Sequence, residues 1–193
     1  GEHDLVDLRM TPMHTEGFLR PETDLVCFSV NWAVEDEFVQ AEIRSVPPDV
    51  WTIIGGRHAT EDPRPWLALR RERHIVVRGD GEEAVGEICR GVPLSQIAGI
   101  SYCSNGEVHH NPNRSSQLVS ESLYPDRRMR RSSYRIHVEN IPLPVEIDLM
   151  AGSRGCPFNC KFCSFTRNPW GEKRAWSGRS VESVVDELAE IEA

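Results

Sequence analysis

Short apolar runs alternate with segments of helical periodicity through the first half of the chain. Asp24-Leu-Val-Cys-Phe-Ser-Val30, Val50-Trp-Thr-Ile-Ile54 and His74-Ile-Val-Val77 are apolar at consecutive positions. That is the pattern of strands covered on both faces. Asp4-Leu-Val-Asp-Leu-Arg9 predicts a further short strand. Residues 32–46 place Ala33, Val34, Phe38, Ala41 and Val46 at helical spacing, with Glu35, Asp36, Glu37 and Glu42 between them. Pro47 and Pro48 end that helix, and residues 63–72 and 82–90 predict two more, the latter stopped by Gly91. This β-α-β-α-β-α order predicts an α/β fold, a doubly wound parallel sheet of flavodoxin or Rossmann type. Ile97–Cys103 and Glu107–His110 flank Ser104-Asn-Gly106, the sequence of a tight hairpin turn. The hairpin closes a first domain over residues 1–110.

Periodicity is lost over residues 111–144, which contain Pro112, Pro125, Pro142, Pro144 and the run Arg127-Arg-Met-Arg-Arg131. They read as an interdomain linker, and the arginine run as a solvated one. Val145-Glu-Ile-Asp-Leu-Met150 then predicts a strand that opens a second region, residues 145–193. It ends in a helix capped by Ser180, with Val181, Val184, Val185, Leu188 and Ile191 on one face, expected to continue beyond Ala193.

Composition narrows the class. Of 193 residues, 39% are hydrophobic and 27% charged, which fits a folded globular protein. No run of about 18 apolar residues could span a membrane. The net charge of −8 argues against a nucleic-acid partner, because phosphate contacts need positive surface.

Six cysteines are unevenly placed. Cys27, Cys89 and Cys103 are scattered through predicted strands and a helix and read as small buried hydrophobes. Cys156, Cys160 and Cys163 form C-x-x-x-C-x-x-C in a loop. With no secretory signal, such a cluster reads as metal ligation in a reducing, cytoplasmic setting. Three thiolates on a four-iron cluster leave one iron open to a small molecule. A structural zinc site and a redox Cys160–Cys163 pair are the rivals. Zinc would need a fourth ligand from His58, His109 or His110, at unfamiliar spacing. His109 and His110 lie in a hairpin arm and read as facing solvent.

In sheets of this kind ligands bind beyond the carboxyl ends of the strands. Ser29, Gly55, Gly56, Gly79 and Gly81 lie at those ends. Glycine there either admits a ligand to the backbone or only makes a turn. Both readings stand at this point.

The cysteine run resembles the signature of the radical S-adenosylmethionine enzymes, with Phe162 as the aromatic before the last cysteine. Ser153-Arg-Gly-Cys156-Pro looks like the version found in a subgroup that carries an N-terminal cobalamin-binding domain. Ser29, Gly55-Gly-Arg-His58, Gly79-Asp-Gly-Glu82 and Gly99-Ile-Ser-Tyr102 resemble that domain's successive landmarks. Asn31 and Trp32 after Ser29 depart from its common Ser-x-Leu.

The resemblance implies a cobalamin-binding domain followed by the start of a partial TIM barrel. It implies a [4Fe-4S] cluster on Cys156, Cys160 and Cys163, S-adenosylmethionine on the open iron, and cobalamin along the strand ends. Ser29, Gly55 and Gly56 would line the pocket of the nucleotide tail, and His58, Gly79 and Gly81 would lie near the cofactor. Phe158 and Phe162 would pack near the cluster. The implied reaction is methylation or cyclisation of a small-molecule substrate such as a lipid or tetrapyrrole, with flavodoxin or ferredoxin as electron donor. A methylthiotransferase acting on RNA or protein, using Cys27, Cys89 and Cys103 for a second cluster, is one alternative. A non-enzymatic cofactor- or zinc-binding module is another. Six βα units need roughly 180 residues at about 30 each. Val145–Ala193 holds one, so the chain reads as a fragment lacking the domain's first strand before Gly1 and most of the barrel.

Overall fold

The computed structural model describes residues 4–116, 118–119, 125–138, 141–163 and 166–192. It divides into two compact units. One comprises Met13–Gln117 with Arg167–Glu172, the other Gly1–Pro12, Leu118–Thr166 and Lys173–Ala193.

The first unit is built on a five-stranded sheet of order β1-β2-β3-β4-β5. Its strands are β1 (Leu25–Ser29), β2 (Trp51–Gly55), β3 (His74–Val77), β4 (Ile100–Ser104) and β5 (Glu107–His110). The first three run parallel, and β4 and β5 add antiparallel. Between them lie α1 (Asp36–Ser45), α2 (Arg57–Glu61), α3 (Arg64–Leu67) and α4 (Glu82–Cys89). Side-chain alternation divides the core. Ile54 and Val76 pack with Val30, Ile43, Ala59, Trp66 and Leu67, under α1, α2 and α3. Ile53, Ile75 and Val77 pack with Ala84, Ile97, Ile100 and Tyr102, under α4. The sheet is thus covered on both sides, an α/β doubly wound unit with an antiparallel edge. Asn105 and Gly106 both have positive φ, 51° and 79°, as the tight hairpin turn requires.

Three sequence expectations change here. The inward face of α1 is not the Val34–Phe38–Ala41 stripe, since Val34 is 91% exposed and Phe38 is also exposed. Of the expected stripe Val46 is buried, but Val39 and Ile43 turn inward in place of Val34, Phe38 and Ala41, with Glu42 buried beside them. The cause is a polar tether. Glu42 accepts the Thr15 backbone N–H at 2.7 Å and meets His14 Nδ1 at 2.5 Å, so its carboxylate is satisfied inside and sets the helix rotation. Cys27 and Cys89 are exposed, because edge strand β1 and the end of α4 are only partly covered, while half-buried Cys103 donates its Sγ–H to the Leu67 carbonyl. His109 is half-buried and stacks on Tyr102 at 5.1 Å, while His110 is exposed as expected and bonds Ser101 Oγ at 2.7 Å.

The second unit contains two small antiparallel ladders: β6 (Tyr134–Val138) with β7 (Ile141–Ile147), and β8 (Ser153–Arg154) with β9 (Ser177–Gly178). Its helix is α5 (Val181–Glu192). Residues read as linker therefore carry a strand pair, and the predicted strand from Val145 begins earlier, at Ile141. Linker residues 117, 120–124 and 139–140 lie outside the described residues, as do Gly1 and Ala193. The Asp4–Arg9 run is not a strand. Only Leu5 pairs, with Arg130, and Leu8–Met10 is a 3-10 turn capped by Asp7 accepting Arg9 N–H at 3.0 Å. Ser180 does cap α5, accepting the Ser183 N–H at 3.2 Å. The apolar stripe turns inward only in part: Val184 and Ile191 are half-buried, Val181, Val185 and Leu188 are exposed, and Ser183 and Glu187 are buried.

At the β2–β3 register, His74 is fully buried. Its Nε2–H donates to the Trp66 carbonyl at 2.8 Å, so Nδ1 accepts from Thr52 Oγ1 at 2.6 Å. Burial pushes its pKa down from 6.5 to about 4. Below pH 6.5 the unfolded chain therefore binds a proton that the folded one refuses until about pH 4. Unfolding free energy should be insensitive to this group above pH 6.5 and fall by up to ~3 kcal/mol between pH 6.5 and 4. Urea unfolding across that range checks this, and His74→Gln should flatten the slope.

Candidate functional site

The carboxyl ends of β1, β2 and β3 are tied together by backbone. Val30 N–H donates to Gly55 O at 2.9 Å, and Val30 O accepts His58 N–H at 3.1 Å. Thr60 Oγ1 donates to Gly56 O at 2.9 Å and accepts Gly79 N–H at 3.1 Å. Ser29 and Gly55 are register partners across β1 and β2. Asn31 Nδ2 donates to Ser29 Oγ at 3.2 Å, and Asn31 Oδ1 accepts the Arg57 N–H at the start of α2. Of the two residues that depart from the Ser-x-Leu pattern, Asn31 thus ties the end of β1 to the start of α2.

The glycines at these ends divide by physical need. Gly56 has φ +95°, and a Cβ there would lie 2.4 Å from Val30 O. Gly79 has φ +89°, and a Cβ would lie 3.1 Å from Trp170 Cη2. The fold itself demands both. Gly81 would make only an ordinary 3.7 Å contact with Val77. Gly55 has nothing within 4 Å, so glycine leaves open space beside Ser29 that packing does not require. His58 Nε2 meets Asp36 Oδ2 at 3.0 Å, and its ring stands edge-on to Trp66 at 6.2 Å. Asp36 Oδ1 is buried without a hydrogen-bond partner, a polar atom left over at the strand ends.

In the second unit, the cysteine loop is closed at its base. Ser153 pairs with Gly178 and Arg154 with Ser177. Arg179 N–H donates to Gly152 O at 3.0 Å, and Arg179 Nη1 to Ala151 O at 3.3 Å. Gly155 has φ +78°, and a Cβ there would fall 2.0 Å from Ala175 O. Only glycine permits the chain to enter the loop immediately before Cys156. Cys163 N–H donates to Cys160 O at 3.2 Å, which sets those two cysteines in one turn, and Thr166 Oγ1 donates to Cys163 O at 3.1 Å. All three thiols are free; Cys160 is exposed and Cys156 and Cys163 are half-buried. Among the described residues, no three His, Cys, Asp or Glu side chains stand together as a metal-holding group. The loop thus places three unpaired thiols within eight residues without gathering them. Phe162 is 92% and Phe158 69% exposed.

An ionic clamp fixes α5 to this base. Glu187, 1% exposed, receives Arg127 Nη2 at 2.6 Å and Arg179 Nη1. Asp148 forms an ion pair with Arg127, 3.1 Å from its Nε, and accepts Arg130 Nη2 at 2.5 Å. Burial alone would raise the Glu187 carboxyl, but Arg179 and Arg127 outweigh it and hold it below its ordinary range. The arginine run read as solvated is thus split: Arg127 and Arg130 turn inward, and Arg128 points out. Sequence reasoning missed this clamp because its partners are 60 residues apart. Gly155 was quoted only as part of the Ser153-Arg-Gly-Cys156-Pro run, and its place before a cysteine in a predicted loop was the available signal of its backbone role.

No protein-family model matches the chain. It is 35% identical over 165 residues to an uncharacterized methyltransferase of Pyrococcus horikoshii, covering 81% of this chain and 34% of that one. It is 26% identical over 159 residues to the anaerobic magnesium-protoporphyrin IX monomethyl ester cyclase of Cereibacter sphaeroides, covering 76% and 24%. The structure matches the radical S-adenosylmethionine methyltransferase TsrM of Kitasatospora setae with a TM-score of 0.54. That match has 18% identity and covers 91% of this chain and 36% of that one. At 18% identity, the likeness to TsrM shows a shared fold. The chain spans about a third or less of the length of the curated relatives it matches. The described residues contain no helix long and apolar enough to cross a membrane.

Two outcomes test the loop and its clamp. Glu187→Ala leaves buried Arg179 without its carboxylate and Arg127 with Asp148 alone, and should lower the unfolding free energy by about 3 kcal/mol in urea. Lys161 and Lys173, the only lysines in the chain, both lie in the cysteine loop. Gly155→Ala should open the loop base and speed cleavage there by a lysine-specific protease about fivefold.

Proposed function

We propose that this chain supplies the cofactor-binding part of a cobalamin-dependent radical S-adenosylmethionine enzyme. Cys156, Cys160 and Cys163 would hold a [4Fe-4S] cluster, leaving one iron without a protein ligand for S-adenosylmethionine. The donor set fits: three unpaired thiols, two already in one turn, in a loop whose entry and base are fixed. The strand ends fit cobalamin at Gly55, where open space lies beside Ser29, with Gly56 and His58 flanking it. Gly79 and Gly81 border the same mouth. When bound, these groups supply radical generation and methyl transfer, chemistry that side chains cannot perform. The protein's own residues position the groups and limit water. The observation that carries the reading is the thiol triad in a pinned loop, in a chain 35% identical to a methyltransferase.

The reaction is methylation or cyclisation of a small molecule in the cytoplasm, with reducing power from flavodoxin or ferredoxin. A second cluster on Cys27, Cys89 and Cys103, as in a methylthiotransferase, is disfavoured because Cys27 shares the sheet face of its register partner Ile53, whereas Cys103 packs on the opposite face with Trp66 and Leu67.

Anaerobic reconstitution tests the proposal. The wild-type protein should retain about four irons and bind hydroxocobalamin. Replacing Cys156, Cys160 and Cys163 with alanine should abolish iron retention. Gly55→Leu, which fills the open space, should lose the corrinoid while keeping its iron. Zinc in place of iron, or iron retained by the triple variant, would overturn the cluster assignment.

A further inference from the structure

Arg167–Glu172, a short segment from the cysteine loop, belongs to the same compact unit as the sheet. It is a rigid turn. Gly171, with φ +89°, donates its N–H to Asn168 O at 2.8 Å, and Asn168 N–H donates to Glu172 O at 2.9 Å. Asn168 is buried and bonds Ser116 Oγ at 3.0 Å. Its Nδ2 also donates to Glu172 Oε2 at 2.9 Å, the oxygen that accepts Trp170 Nε1–H at 3.1 Å. The indole's polar handle is therefore satisfied within the turn, and its benzo edge lies against Gly79, in the loop after β3. Gly79 is in turn tied through Thr60 to Gly56. A half-buried tryptophan is thus held at the carboxyl end of β3, one strand along from the open space at Gly55.

From this placement, and resting on the cobalamin reading above, we propose that Trp170 is a positioning residue that covers the corrin ring. Ser29 and Gly55 serve the nucleotide tail at the β1 and β2 ends, and the flat conjugated macrocycle extends over the β3 end against the indole. Aromatic side chains favour such surfaces, and an anchored ring gives up little freedom on binding. The glycine at position 79 then has a use beyond its φ, because a side chain there would displace the cover.

Equilibrium titration with two probes tests this: hydroxocobalamin, and dicyanocobinamide, which has the ring but lacks the nucleotide tail. Trp170→Ala should raise Kd for both about tenfold, the loss of one aromatic contact. Trp170→Phe should stay within about threefold of wild type, and Trp170→Leu should behave as Trp170→Ala. Leu keeps bulk if the smaller residue unfolds the turn, and thermal melting identifies that case. Unchanged affinity in both Trp170→Ala and Trp170→Leu overturns the proposal. A loss confined to hydroxocobalamin overturns the assignment to the ring. Failure of wild type to bind either probe overturns the cobalamin reading as well, whereas wild-type binding with unchanged variants overturns this inference alone.

Discussion

The approach of Gly56 to the Val30 backbone governs the carboxyl-end mouth of the sheet. No Cβ fits between them, and the same Val30 bonds both Gly55 and the first turn of α2. This contact fixes where β1 and β2 end relative to each other. It also turns α2 so that Thr60 can hold Gly56 and Gly79 together. The open space at Gly55 exists because its neighbour carries the steric demand. A fold-required glycine and a glycine that leaves room sit side by side, and they differ only in backbone angle and surroundings.

Much of the first unit was legible in the sequence for a simple reason. Strands buried on both faces must be apolar at consecutive positions, as in β2 and β3, and edge strand β1 carries the same pattern although it is only partly covered. The Asn105-Gly106 turn announced its hairpin through the backbone angles it demands. The rotation of α1 was not legible. A carboxylate can occupy an inward position when a backbone N–H and an imidazole from a distant turn meet it, and Glu42 depends on Thr15 and His14.

The second unit was harder to read, because its order rests on ion pairs rather than on a periodic core. Arg127 reaches Glu187 across 60 residues, and no local pattern announces such a pair. The alternation Ile141, Leu143, Val145, Ile147 was present, but Pro142 and Pro144 masked it. Proline is tolerated there because the ladder has only two strands, leaving edges that need no donor. The spacing of Cys156, Cys160 and Cys163 was fully visible. What spacing could not show is that the loop is pinned at Gly155 while the thiols stand ungathered.

The clamp on α5 has a chemical asymmetry. Its cations are all arginines, which stay protonated far beyond the range where a lysine would titrate. Its anions, Asp148 and Glu187, are carboxylates held below their ordinary range against burial. Alkali therefore has no handle on the joint, whereas acid does, through two groups on opposite sides of Arg127. The foot of the cysteine loop is a one-way fastening, released by added protons and indifferent to their removal.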